Sequence, residues 1–214
     1  MHALTFMCDH LNVSKGYAVH RFSALLAVSA LALAGCTATL SPTVTAPDEV
    51  GLLAAADLTG RDVTGIIDHL DVLPVIVRPE DLSAIVYSDQ LMLSTPDEEM
   101  HLNMPEDVAY ISVAPFVTYT HDCTYHSLTT CVGELRNARI EVMITDDDTG
   151  AVLIDETTTT FDNGFIGYWL PRDISGIITI TQGEFTGSVP FSTGTDAITC
   201  ITDLHLQSPA LQRL

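Results

Sequence analysis

From Val108 onward, turn signals cut the chain about every dozen residues into short alternating or β-branched segments, and that spacing points to an all-β architecture. Tyr110-Ile111-Ser112-Val113 reads as a strand, and Arg139 to Thr145 alternates along its length. Asp146-Asp147-Asp148-Thr149-Gly150 turns the chain into Ala151 to Thr157, and Asp162-Asn163-Gly164 turns it into Phe165 to Leu170. Ile177 to Thr181, Phe185 to Phe191 and Ile198 to Leu206 complete the series. Short strands at this spacing imply a sandwich or a barrel, and of the two an antiparallel β-sandwich is expected over residues 106–214. Phe165, Tyr168 and Trp169 are expected in its core, as is Met143.

Residues 48–105 read differently. Val50, Leu52, Leu53 and Leu58, then Val63, Ile66, Ile67 and Leu70, recur at helical spacing. Gly60 and Pro74 punctuate the run, which predicts two short helices. Ser83 to Tyr87 and Gln90 to Ser94 flank Ser88-Asp89 and predict a hairpin. The chain as a whole is therefore expected to be α+β, a small α+β unit at 48–105 followed by the sandwich.

The start of the chain carries a sorting signal. Lys15 and Arg21 precede a run of thirteen apolar or small residues, Phe22 to Ala34. That is shorter than the roughly 20 residues needed to cross a bilayer, but it suits the core of a secretory signal peptide. The run closes on Leu33-Ala34-Gly35-Cys36, which resembles the lipobox of bacterial lipoproteins. The resemblance implies that residues 1–35 are removed and that Cys36 is lipidated. Residues 36–47, rich in Thr, Ser, Pro and Ala, then read as a flexible tether. The expected protein is exported, held by lipid to a bacterial membrane, and faces the periplasm or the cell exterior.

Charge narrows the partners. Acidic residues number 28 against 8 Lys and Arg, for a net charge of −20. Removing residues 1–35 leaves six arginines, no lysine, 27 acids and a net charge of −21. Nucleic acid and anionic membrane surfaces need clustered basic residues, so neither is an expected partner, and membrane contact should be through the lipid alone. Cations are the natural guests of such a field. With 47% hydrophobic and only 17% charged residues, the chain still has enough apolar mass for a core.

Motifs for catalysis are absent: there is no Gly-rich phosphate loop, no Gly-x-Ser-x-Gly and no His-Glu-x-x-His, so the chain is not expected to be an enzyme. The Asp146 to Asp148 cluster fails as a calcium loop because Gly150 stands at its fifth position, where an oxygen ligand belongs. It reads as a solvated turn.

One loop concentrates soft ligands. Between His121 and Cys131, eleven residues hold two thiols, Cys123 and Cys131, and two imidazoles, His121 and His126. Outside this loop only one cysteine follows Cys36, namely Cys200. Three thiols in an oxidising compartment cannot all pair within one chain. The residues allow a metal site, a thiol–disulfide redox pair with a third resolving cysteine, or an inert disulfide in a surface interaction module. In the metal reading, thiolates with imidazole suit Cu(I), with zinc as a second candidate. Cys123, Cys131 and Cys200 would be the ligands, with His121 and His126 as auxiliary ligands or first contacts for an incoming ion. Such a site needs Cys200 beside the loop, which a sheet pairing the last strand near Val132 could provide. His205 is expected to point away from Cys200, and Glu134 is a candidate to orient a ligand histidine.

The segment HDCTYHSLTTCVGEL, His121 to Leu135, resembles the signature of the CueP family of copper-binding periplasmic proteins and lipoproteins. The resemblance extends through Tyr110 to Pro115, Asp162 to Phe165, Trp169 to Arg172 and Thr199-Cys200. It implies copper binding in the cell envelope by Cys123, Cys131 and Cys200 with His121 and His126. It further implies a role in copper tolerance, a copper-receiving envelope enzyme, and a homodimer made through the N-terminal unit. Cys36 departs from members that are free in the periplasm.

Overall fold

The computed structural model describes residues 51–54 and 56–208. The signal segment, Cys36 and the tether lie outside the described residues.

After a helical turn at residues 51–54 comes helix α1, Val63–Asp71. Asp62 caps it by accepting the Gly65 amide at 2.8 Å, and Ile66, Ile67 and Leu70 form its buried face. Pro74 stops the helix, and a 3-10 turn, Val75–Val77, leads away. The predicted hairpin is present as β1, Ser83–Val86, and β2, Gln90–Ser94, with β3, Glu99–Asn103, added on the far side of β2. The remaining strands are β4 (Val108–Val113), β5 (His126–Ser127), β6 (Arg139–Asp146), β7 (Val152–Thr159), β8 (Ile166–Pro171), β9 (Ser175–Gln182), β10 (Phe185–Ser192) and β11 (Cys200–Ile201).

They form three sheets, ordered β3-β2-β1-β5, β10-β9-β6-β7 and β11-β4-β8. Ile140, Val142, Ile144, Ile178 and Ile180 of the second sheet share one core with Ile111, Val113, Ile166, Tyr168 and Leu170 of the third. The opposite face of the third sheet presents Tyr110 and Trp169 to a second core, with Ile66, Ile67 and Leu70 of α1 and Ala84, Val86, Leu91 and Leu93 of the hairpin. Each fully buried Leu or Ile here contributes roughly 1.5–3 kcal/mol. Strand β4 therefore lies between two cores, which is why it reads as a near-continuous apolar run and not as an alternation.

Several expectations are corrected. The boundary at residue 105 is crossed, because β5 joins the hairpin sheet and Tyr110, Leu128 and Trp169 enter the core of the N-terminal segment. Pairing is not antiparallel throughout: β11 runs parallel to β4, with Cys200 opposite Ser112. The predicted strand from Ile198 to Leu206 shrinks to Cys200–Ile201 plus isolated bridges. Met143 is exposed, since strict alternation along β6 buries Val142 and Ile144 and turns the residue between them outward. The Asp146 carboxylate caps its own turn, accepting the Thr149 amide and hydroxyl, both at 2.7 Å.

Two glycines are required by packing near the cysteines. Gly167 faces the Tyr110 ring across the β4–β8 pair, where any Cβ would overlap the ring. Gly164 has φ +81°, and a Cβ there would stand 2.6 Å from the Gly133 carbonyl oxygen.

Candidate metal centre

The loop after β4 and the short strand β11 meet at one end of the middle sheet. The backbone arranges this meeting: Thr124 O accepts the amides of Thr199 (3.1 Å) and Cys200 (3.3 Å), while Thr199 Oγ1 accepts the His126 amide (3.0 Å) and donates to Val86 O (2.5 Å). Cys200 reaches the loop because β11 pairs with β4, and not through a pairing near Val132.

Ala114, Phe165 and Cys200 form a small buried cluster with Cys123 and Cys131 packed against it. Cys123 and Cys200 are joined as a disulfide with Cα atoms 5.6 Å apart, and Cys131 is a free, half-buried thiol. The Cys131 Sγ lies 3.7 Å from Cys123 Sγ and accepts the Ser127 amide at 3.4 Å.

The two histidines sit in different environments. His121 is exposed and edge-on to Phe165, with ring centroids 6.2 Å apart. It lines an open cleft of about 430 Å³ together with Tyr119, Thr120, Thr130, Cys131 and Val132. His126 has no exposed surface, so it cannot be a first contact for an incoming ion. Its ring packs on Phe165 at 4.6 Å, its Nδ1 lies 3.9 Å from Cys200 Sγ, and its Nε2 lies 2.9 Å from Asp71 Oδ1.

Two donor sets follow, each with its ligand atoms within 4.8 Å of one another: an outer one, His121, Cys123 and Cys131, and an inner one, His126, Cys131 and Cys200. Cys131 belongs to both.

Behind the inner set is a buried polar network that the sequence reading missed. Asp71, at the end of α1, accepts the Tyr110 hydroxyl (2.5 Å) and the more distant Ser112 hydroxyl (3.4 Å) on Oδ2, and the Asn163 amide (3.0 Å) on Oδ1 beside His126. One signal for it was available: Asp71 is four residues after Ile67, on the apolar face of the helix. Tyr110 and Ser112 share a face of β4 by simple alternation.

Electrostatics set the proton positions. Burial works against a charged His126, but the Asp71 charge and hydrogen bond outweigh it and push the imidazole up to about 9. Burial also works against ionised Asp71, yet the His126 charge and the Tyr110 and Asn163 hydrogen bonds hold the carboxyl below its usual range. At Cys131, burial opposes the thiolate, while His126, the Ser127 amide and the Arg78 charge together lower the thiol. Arg78 is buried and donates Nη1 to Cys131 O at 2.8 Å, with Nε and Nη2 unpartnered.

Glu134 does not orient a histidine. It accepts the amides of Val117, Thr118 and Tyr119 and so pins the stretch that leads to His121. His205 is exposed, stacked on Phe116 at 4.8 Å, with Nε2 on Val117 O.

Fold and site together define a β-rich protein with a cysteine–histidine centre suited to a soft metal ion. The sequence model of the family described as periplasmic copper-binding protein CueP matches residues 65–205. The crystal structure of Salmonella CueP is similar, with a TM-score of 0.71 and 36% identity over 76% of this chain and 99% of that chain. No curated protein matches. The chain belongs to the CueP family of periplasmic copper-binding proteins. Among the described residues, no helix is long and apolar enough to cross a membrane.

Proposed function

We propose that the chain is a cell-envelope copper-binding protein that sequesters Cu(I) through Cys123, Cys131 and Cys200 with His126, while His121 meets the ion at the surface. The observation that carries this reading is the pair of donor sets that share Cys131, one open to the cleft and one buried. Thiolates and imidazole are the ligands that favour Cu(I) over hard cations, and low coordination suits that ion; zinc is the competing guest.

The disulfide sets the redox condition. With Cys123 joined to Cys200, only Cys131 and the imidazoles have free donor atoms, so the full thiolate set belongs to the reduced protein. Run the other way, two thiols forming that disulfide release two electrons and two protons, enough to reduce two Cu(II) to two Cu(I). That reduction spends two of the three thiolates, so the Cu(I) it forms meets only Cys131 and the imidazoles until an external thiol reductant reopens the disulfide, and on this reading the protein acts as a binder and not as a turnover enzyme. A mature net charge of −21 raises the local cation concentration before the soft ligands select. On this reading the protein contributes to copper tolerance, is held to its membrane by lipid on Cys36, pairs as a homodimer, and passes copper to an envelope enzyme.

The test is anaerobic titration of the reduced protein with Cu(I) against a calibrated chelator. Tight retention that is lost in Cys123→Ser, Cys131→Ser and Cys200→Ser is expected. Failure to compete with the chelator would overturn the copper reading and leave the thiol–disulfide alternative.

A further inference from the structure

Asp71 has no exposed surface, and it is not a member of either donor set. A buried carboxylate is retained only where other groups compensate its desolvation. Here the compensation comes from β4 through Tyr110 and Ser112, from the turn before β8 through Asn163, and from β5 through His126. Only His126 continues from this network to the sulfurs. With Nε2 committed to Asp71 and one ring face on Phe165, the nitrogen left on the sulfur side is Nδ1, 3.9 Å from Cys200 Sγ. A carboxylate on the far nitrogen of a ligand histidine fixes which nitrogen binds, sets the ring plane and strengthens the ligand.

Resting on the copper-binding reading, we propose that Asp71 is a positioning residue for the metal centre. From the end of helix α1 it holds His126 so that Nδ1 is offered to an ion shared with Cys131 and Cys200. Metal retention thereby depends on a helix that contributes no ligand of its own.

The test is a double-mutant cycle on the full chain, reading Cu(I) affinity by chelator competition. Asp71→Asn keeps the side-chain shape and should cost about 10–100-fold in affinity, the range found for partners one step behind a metal ligand. In a His126→Ala background the same substitution should cost almost nothing, because the group through which it acts is gone. Equal losses in both backgrounds would overturn the proposal, since a purely structural staple would weaken both. A second measurement needs no variant at Asp71. In the Cu(I)-loaded wild type, nitrogen NMR should show Nδ1 of His126 shifted by the metal and Nε2 still protonated. A metal-bound Nε2, or no shift at either nitrogen, would overturn the proposal. A wild type that takes up no Cu(I) is a different failure: it removes the copper reading itself, before any comparison of variants.

Discussion

The outer and inner halves of the centre are built from the same residue types and differ in what holds them. The outer half, His121 and Cys123, lies on a loop pinned by Glu134, and His121 is open to solvent. The inner half, His126 and Cys200, is fixed by strand pairing on β5 and β11 and by the Asp71 network. An exposed ligand on a loop can reach an incoming ion without first shedding its neighbours. A buried ligand with its partners in place gives up little freedom on binding, so it favours retention. The comparison therefore separates the two histidines, His121 placed to meet an ion and His126 placed to keep it, while on the proposed reading the cysteines serve both steps, with Cys131 in both donor sets.

The strongest way to break this division is through the shared residue. Cys131→Ser should remove ligation from both halves and lower Cu(I) affinity by more than about 100-fold, beyond the range of an outer-shell change, in the same chelator competition. Next in size is the cost to the fold. Asp71→Ala strands a buried imidazole and should destabilise the protein by roughly 3–5 kcal/mol, read by urea unfolding. Replacement of an outer residue such as His121 should leave the unfolding midpoint in place.

Gly164→Ala tests the turn that delivers Asn163 and Phe165 to the inner half. Its positive φ and its contact with Gly133 should make alanine cost at least about 1–3 kcal/mol, again by urea unfolding. His121→Ala separates the rate of uptake from the affinity. Stopped-flow uptake of copper should slow several-fold while equilibrium affinity changes little. The reverse pattern would assign retention to the outer half.

The smallest effect concerns acid. Asp162 accepts the Val75 amide, the Asn137 side chain and Arg136, in that order of influence, and its carboxyl is drawn from 3.8 to about 2. Its folded-state value lies below its unfolded one, so the stability it supplies is present above about pH 4 and fades as pH falls toward about 2. Asp162→Asn should flatten stability against pH across that window and leave it unchanged in slope near neutrality.

Much of this molecule was legible from local pattern. Alternation located β6 together with its outward face, and β-branched runs bounded by turns located β8, β9 and β10. The Met143 error came from reading an apolar residue as buried when its two neighbours already occupied the inner face. The loop from His121 to Cys131 was legible because soft ligands are rare and stood close together. Its pairing with Cys200 through β4 was not, since a parallel bridge of two residues leaves no periodic trace. The Asp71 network was hidden for a related reason. Its members, Asp71, Tyr110, His126 and Asn163, are scattered along the sequence and meet only where β4 is covered by a core on each side.

Copper K-edge absorption on the reduced, Cu(I)-loaded protein asks whether the thiolates and the buried histidine together hold the ion. The prediction is a sulfur-dominated shell with one nitrogen, kept in His121→Ala and lost in His126→Ala. A nitrogen that survives in His126→Ala and disappears in His121→Ala, or a shell that no cysteine substitution alters, would contradict it.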